Sequence, residues 1–494
     1  MQGIILDTEM YLSREEILKV YHAGPDAVVA LVQELCSKLT QLEKVTEQLT
    51  ERVNYLEELH SQNSYNSHKP PSSDGYQKPA PKSLRKKSGK KSGGQTGHVG
   101  KTLQMVEHPD DVVPHYVFSC ENCGRTLHDI APKGTEKRQV FDIPPFKINV
   151  TEHQADIKEC PCCQHTTIGI FPECVHQPVQ YGNRLKSVLV YLNHYQLLPL
   201  DRIRELCVDL FGHSLSEATI FNAGIVCNNR LASFTDALKA QLVESPVVHF
   251  DETGIRINGK TQWLHVASTP LLTHYEAFSK RGQEAMDAMD ILPRFTGRAI
   301  HDHLKAYFRY ACEHGLCNAH HLRELIFIVE HYKQSWAKKM KNHLLDIKKA
   351  VDKRKRNAKS LQLDVINKFE RKYNRILREG FDANPKSSMP KSNGTRGRKK
   401  QTKAKNLLDR LKNFKNETLA FMKDFRVPFD NNQGERDIRM TKVKMKISGS
   451  FRSQRGAEIF CRVRAYISTA KKNSKNVLYA IQDALEERPF IPPA

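Results

Sequence analysis

At 494 residues the chain is long enough for two to four domains with buried cores. Its formal charge of +22 argues for a polyanionic partner, nucleic acid before an anionic membrane surface. No apolar run reaches membrane-spanning length and Met1 to Asp7 shows no signal-peptide pattern, so membrane-embedded and secreted classes are set aside and a cytoplasmic protein is expected. In a reducing compartment, 12 cysteines point to metal binding or burial before disulfides.

Residues 1–25 read as an N-terminal tail. Residues 26–60 read as a coiled coil: Val28, Leu35, Leu42, Leu49 and Leu56 recur every seventh residue, with Val32, Leu39 and Val53 in companion positions and Thr46 as a polar exception. The alternative is one amphipathic helix packed on its own domain. No neighbouring apolar segment covers the stripe, so a homodimer or higher oligomer is expected. Residues 61–107 form a basic flexible linker, rich in Pro, Gly and Ser, with Arg85, Lys86, Lys87, Lys90 and Lys91 in one-sign runs. Such an arm is either an inert tether or a contact to a phosphate backbone, where each cation displaces condensed counterions.

Residues 108–175 carry Cys120-x-x-Cys123 and Cys160-x-x-Cys163. Four thiolates at knuckle spacing suit one structural Zn²⁺ and leave no open position for chemistry. Cys162 and Cys174 are further thiols that could replace a ligand. Alternating runs at Gln139–Ile143 and Lys147–Val150 predict strands of a zinc ribbon. Residues 176–244 read as helical. One helix closes at Phe211-Gly212, and the next opens with Ser216 as N-cap, which is helix-turn-helix grammar. Arg202, Ser216 and Thr219 are the residues this pair would offer to DNA.

Residues 245–331 predict the first part of a mixed α/β core. Val247–Ile257 and Thr261–Ser268 flank Asn258-Gly259, a strong hairpin signal. Thr273–Phe278 offers a third strand and Gln283–Leu292 a helix. A short strand ends at Asp302, and a brief strand runs into a helix near Cys317-Asn318-Ala319-His320. Residues 332–426 predict a basic helical insertion, with an exposed loop around Arg396–Lys400. Residues 427–494 predict the last part of the core and a C-terminal tail, with a helix starting near Asn431 or Asn432 and carrying Glu435, Arg436 and Arg439. Lysines and Arg452 follow.

A carboxylate inside a buried strand costs several kcal/mol unless it is paired or binds a cation. Asp251 and Glu252 both fit that description, and strand parity does not choose between them. If Asp251, Asp302 and Glu435 converged, they would repel one another and call for a cation. Hard oxygen donors select Mg²⁺ or Mn²⁺, and two such ions can clamp an in-line phosphoryl displacement.

Several stretches resemble the insertion-sequence-66 family of transposases: Lys69-Pro70-Pro71-Ser72-Ser73-Asp74 with Gly93-Gly94-Gln95-Thr96-Gly97-His98, the paired Cys-x-x-Cys, His249-Phe250-Asp251-Glu252-Thr253, Cys317-Asn318-Ala319-His320, and Asn432-Gln433-Gly434-Glu435-Arg436-Asp437-Ile438-Arg439 leading to Gly449-Ser450-Phe451-Arg452-Ser453. The resemblance implies a multidomain α/β protein. Its RNase H-like mixed-sheet catalytic core carries a helical insertion and follows a coiled coil, a zinc ribbon and a helix-turn-helix region. It implies a catalytic triad of Asp251, Asp302 and Glu435 holding two Mg²⁺ or Mn²⁺ ions, chosen over Glu252, Asp430 and Asp437. It implies a bacterial, nucleoid-associated enzyme acting on double-stranded DNA, both element ends and target, alongside accessory proteins of the same element. Arg436, Arg439 and Arg452 would meet phosphates. The rival reading is a catalytically silent, transposase-derived DNA-binding regulator.

Overall fold

The computed structural model describes residues 13–67, 102–385 and 401–493. Arg85, Lys86, Lys87, Lys90, Lys91, the Lys69–Asp74 and Gly93–His98 stretches and the Arg396–Lys400 loop lie outside the described residues.

Part of the expected tail is helical. Helix α1 (Arg14–His22) starts on a capping box in which the Ser13 hydroxyl accepts from the Glu16 N–H and the Glu16 carboxylate accepts from the Ser13 N–H. Helix α2 (Pro25–Ser61) begins on proline after Gly24, whose φ of 108° only glycine adopts without strain. Much of its heptad stripe is exposed, Leu39 by 59% and Leu49 by 61%. Its C-terminal turn is held: Glu58 accepts from the Tyr332 hydroxyl and pairs with Lys403.

The cysteine region contains one hairpin, β1 (Ile157–Glu159) and β2 (Thr166–Ile168), paired Ile157 to Ile168 around the second knuckle. The strands expected at Gln139–Ile143 and Lys147–Val150 do not form. Pro144-Pro145 between them removes two N–H donors from the place where a hairpin would close. Their alternation leaves apolar side chains in solvent, with Val140 92% and Val150 91% exposed.

Helix α3 (Asn183–Val190) runs into a π-turn at Tyr191–Tyr195. Helix α4 (Leu200–Phe211) closes on Gly212 in the left-handed region, and α5 (Glu217–Arg230) opens on Ser216, whose hydroxyl accepts from the Thr219 N–H at 3.0 Å. The Ser216 and Thr219 hydroxyls also bond each other at 2.9 Å. Ser216→Ala therefore leaves an N–H at the helix start unpaired. It is expected to cost about 1 kcal/mol in denaturant unfolding of this unit, with Ser216→Thr close to wild type.

Helix α6 (Ala232–Glu244) leads to the sheet strands β3 (Val247–Ile257), β4 (Lys260–Ser268) and β5 (Thr273–Phe278). Asn258 and Gly259, with φ of 48° and 71°, make the tight turn between β3 and β4. Helix α7 (Gln283–Met289) is shorter than expected because Asp290 turns left-handed at its end. Next come β6 (Arg298–His301), β7 (Glu313–Leu316), α8 (Asn318–His331), α9 (Ser335–Arg354), α10 (Leu363–Ala383), α11 (Lys403–Asn413) and two single turns, α12 (Lys415–Thr418) and α13 (Ala420–Lys423). The chain ends with α14 (Asn432–Ser448), α15 (Gln454–Lys472) and α16 (Val477–Leu485).

These elements divide into two compact units. The described residues of the first are 13–67, 236–442 and 493, and those of the second are 102–235 and 443–492. The first unit holds a mixed five-stranded sheet in the order β5-β4-β3-β6-β7. β3 pairs antiparallel with β4 and parallel with β6, so it is central and carries its acids inward. The basic insertion is not a satellite. Trp336, Met340, Tyr373, Leu407 and Leu411 share one core with Leu322 and Leu325 of α8 and Ile300 of β6. Most of their basic residues lie on the outer faces, the ordinary division for an amphipathic helix, with Lys405 of α11 a buried exception.

The second unit corrects the expected 427–494 segment. Its sheet-associated part stops at Lys442, and what was expected to be a tail packs as α15 and α16 against α3 and α5. Ile459, Val463, Ile467 and Ile481 join Leu189, Ile220 and Cys227 in the buried set. Arg464 donates to the carbonyls of His194 and Tyr195 at the end of the π-turn, satisfying groups that have no partner within the helix. Among the described residues no helix is long and apolar enough to cross a membrane.

Candidate active site and metal centres

Asp251 sits midway along β3, and Asp302 follows β6, the parallel neighbour. The β3–β6 register pairs Val247 with Arg298 and His249 with Ile300. Continued by two residues, it sets Asp251 beside Asp302. Glu435 stands in the first turn of α14. The start of that helix is fastened to β3 by Asn431, whose side-chain N–H donates to the Phe250 carbonyl at 2.8 Å and whose Oδ1 lies 2.7 Å from His249 Nδ1. Because the amide nitrogen of Asn431 is already donating, its oxygen accepts, and His249 carries its proton on Nδ1. The Asn431 N–H also donates to the Cys317 sulfur at 3.1 Å. At Gly434 the helix passes so close that an added Cβ would lie 3.4 Å from the Asp251 Cβ.

The electrostatics follow from this convergence. Burial pushes the Asp251 carboxyl well above the usual carboxylate range, and the negative charges of Glu252, Asp302 and Glu435 push it further. The Glu252 N–H, donating to Asp251 Oδ1 at 2.9 Å, opposes the shift only in part. Asp302 accepts from the Leu304 N–H at 2.8 Å. Glu435 Oε1 lies 3.7 Å from Arg323 and is buried without a hydrogen-bond partner.

The neighbouring acids are occupied. Glu252, its side chain 1% exposed, accepts from Arg281 Nε and Nη2 at 2.9 and 2.6 Å and from the Tyr307 hydroxyl at 2.6 Å. Asp430 accepts from the Asn432 N–H, and Asp437 from Gln433 Nε2 at 2.9 Å. The histidines around Asp302 turn away into a buried ring cluster. His301 stacks on Tyr307 and bonds His314 at 3.0 Å, and burial holds its imidazole down at about 3. His303 meets His321 at 3.1 Å.

Sequence reasoning did not single out Asn431, Arg281 or Tyr307, and it left the roles of Cys317 and His320 open. Cys317, His320 and Glu435 bring one ligand atom each within 4.8 Å of one another. Burial pushes the Cys317 thiol up to about 12. The signals that could have found Asn431 are weak: an Asn pair before Gly434-Glu435 marks a helix start, but not what the cap holds.

The cysteine pairs form matching turns. The Gly124 N–H bonds the Cys120 carbonyl and the Gln164 N–H the Cys160 carbonyl, with Gly124 at φ 71° and Gln164 at φ 56°. N–H groups and the second thiol of each loop hold Cys120 and Cys160 below the usual thiol range, which favours the ligating thiolate. Among the described residues, the group whose ligand atoms come this close is Cys317, His320 and Glu435; the two knuckles do not bring their four sulfurs to that distance. Each half nevertheless has the donor set and turn of a zinc knuckle. The chain is expected to carry one tightly held zinc lost in Cys120→Ser. Metal removal is expected to raise thiol reactivity and protease cleavage between residues 102 and 175 several-fold, read by thiol labelling and limited digestion.

Arg436 and Arg439 lie exposed on α14, with Arg436 donating to Gln433 at 2.7 Å. Arg202 is exposed on α4 and Arg452 precedes α15 in the second unit. Ser216 and Thr219 are engaged in the helix cap described above.

Residues 178–459 match a family described as "Transposase IS66 family", and residues 119–164 match the "zinc-finger binding domain of transposase IS66". Residues 21–104 match a family of unknown function, DUF6444. No curated protein matches the chain.

Proposed function

The chain belongs to the IS66 transposase family, and from that premise we propose that it is a DNA transposase that binds the terminal inverted repeats of its element and cuts and joins DNA with Asp251, Asp302 and Glu435. The observation that carries this reading is the convergence of three acids from distant parts of the chain, with the charges of Asp302 and Glu435 felt at a buried Asp251. Three hard carboxylates, one with an unpartnered buried oxygen, suit Mg²⁺ or Mn²⁺. The mixed sheet, with Asp251 on its central strand and Asp302 at the end of the parallel neighbour, supports an RNase H-like core.

Two divalent cations held by these acids would, when bound, supply Lewis acidity to the displaced phosphodiester. In the first step water attacks the phosphodiester at the element end, and the 3′-oxygen leaves as a hydroxyl. In the second, that hydroxyl attacks a target phosphodiester, its proton is given up, and the target strand's 3′-oxygen leaves as a hydroxyl, so the number of phosphodiester bonds is unchanged and no protein–DNA bond is needed. Asn431 holds α14 against β3 so that Glu435 faces Asp251. Glu252 is tied to Arg281 and Tyr307, so its oxygens are taken up by hydrogen bonds and are not offered to a cation. Arg436 and Arg439 offer guanidinium forks to phosphates. A Zn²⁺ on Cys120, Cys123, Cys160 and Cys163 would order the ribbon, and α4–α5 would carry the helix-turn-helix contact through Arg202. The α2 stripe, apolar and exposed, would pair with a second copy.

The test is cleavage and strand transfer on labelled element ends with Mg²⁺. Wild type is expected to do both, and the amide variant of each acid to bind ends without cutting them. Full activity in all three variants would overturn the assignment.

A further inference from the structure

We infer that Cys317, His320 and Glu435 form a binding site for a soft divalent cation, Zn²⁺ in the first place, different in donor chemistry from the all-carboxylate cluster of Asp251, Asp302 and Glu435. Cys317 is the N-cap of α8, and His320 lies three residues on, so one helical turn presents both. Glu435 comes from the first turn of α14. All three ligand atoms lie within 4.8 Å of one another. A tetrahedral zinc with bonds of about 2.0–2.3 Å needs donors roughly 3.5 Å apart, a closing that side-chain rotation supplies. The backbone beneath is already fixed: the Asn431 N–H donates to the Cys317 sulfur and the Asn318 N–H to the Phe429 carbonyl at 3.1 Å, tying the starts of α8 and α14 together.

The donor set decides the cation. One thiolate, one imidazole and one carboxylate select zinc over magnesium, which takes oxygen ligands and keeps its waters. Binding removes the thiol proton to solvent. Three protein ligands leave a fourth position open, the pattern of an exchangeable site and not a closed structural one. The Arg323 guanidinium, 3.7 Å from Glu435, weakens the cation further and keeps the site reversible. The consequence rests on the catalytic role proposed for Glu435: a zinc that engages this carboxylate withdraws it from Asp251 and Asp302, so the site is a zinc-operated brake on DNA cleavage.

The experiment titrates Co²⁺ into the full chain with its cysteine knuckles already zinc-loaded. Wild type is expected to take one further cobalt with a thiolate-to-cobalt charge-transfer band, lost in Cys317→Ser and weakened at least tenfold in affinity in His320→Asn. No band in wild type, or the same band in Cys317→Ser, would overturn the site. Should Cys317→Ser unfold, an unchanged cobalt affinity in His320→Asn does so alone. The brake is read separately, as the ratio of Mg²⁺-dependent cleavage with and without micromolar zinc within each variant. The ratio is expected to fall at least tenfold in wild type and stay near one in His320→Asn. The cobalt band does not depend on cleavage. Loss of the catalytic reading would appear as Mg²⁺ cleavage indifferent to Glu435→Gln, whatever the band does.

Discussion

Asp251→Asn is expected to abolish strand cleavage and strand transfer while raising the melting temperature of the metal-free protein at neutral pH. The two effects have one origin. The carboxylate is desolvated and feels the negative charges of Glu252, Asp302 and Glu435, so its charged form is destabilised and its pKa is raised. A raised folded-state value means that the favourable contribution is fully present below the unfolded carboxyl pKa of about 3.9 and is lost as pH rises through the folded value. The amide carries no charge and escapes that loss. The two melting temperatures should therefore coincide near pH 3.5 and diverge as pH rises, with the variant on top. Adding Mg²⁺ should reverse the order, because a cation bound only by the folded wild type stabilises it by mass action. Cleavage should fall by about 10³-fold or more, the cost of losing several kcal/mol of charge stabilisation at the transition state. A variant that melts lower than wild type at pH 8 without metal would contradict the electrostatic account.

What was legible in the sequence was local. Asn258-Gly259 announced the β3–β4 hairpin because only such residues take two successive positive φ values cheaply. Ser216 announced α5 through its cap, and Thr273–Phe278 its strand through alternation. The same alternation misled at residues 139–150, where the pattern is present but Pro144-Pro145 and the want of a partner edge leave it unpaired. The heptads of α2 predict a coiled coil; the helix is there, its last turn tied to Tyr332 and Lys403 by a contact no periodicity reports, and its pairing with a second copy stays a proposal.

What was not legible was long-range. Helices α15 and α16 read as a tail because their partners, α3 and α5, lie more than two hundred residues away. Asn431 looked like one polar residue at a helix start. Its use is to join Phe250, His249 and Cys317, three positions that no spacing rule connects. The choice between Asp251 and Glu252 was of the same kind. Both lie in one strand, and strand parity only says that they face opposite sides.

Glu252→Ala is the counterpart that separates the two neighbours. The Glu252 carboxylate accepts two hydrogen bonds from Arg281 and one from the Tyr307 hydroxyl, with its own side chain 1% exposed. Removing it strands the guanidinium and leaves a buried phenol without an acceptor. Breaking a fully buried ion pair costs about 3–5 kcal/mol, and an unsatisfied buried hydroxyl about 1–3 kcal/mol. Arg281 is 43% exposed, so water recovers part of the first cost. A loss of about 3 kcal/mol is expected in denaturant unfolding of the sheet-containing unit. Glu252→Gln should lose less, since its amide oxygen still accepts from Tyr307. Cleavage per folded molecule should change far less in either variant than in Asp251→Asn when assayed well below the melting temperature, because Glu252 is bonded to Arg281 and Tyr307 and acts on Asp251 only through its charge. The two neighbours should thus give opposite results: stability lost with chemistry retained at Glu252, chemistry lost with stability gained at Asp251. If Glu252→Ala stopped cleavage with its unfolding curve unmoved, the acid of the triad would have to be moved one residue along β3.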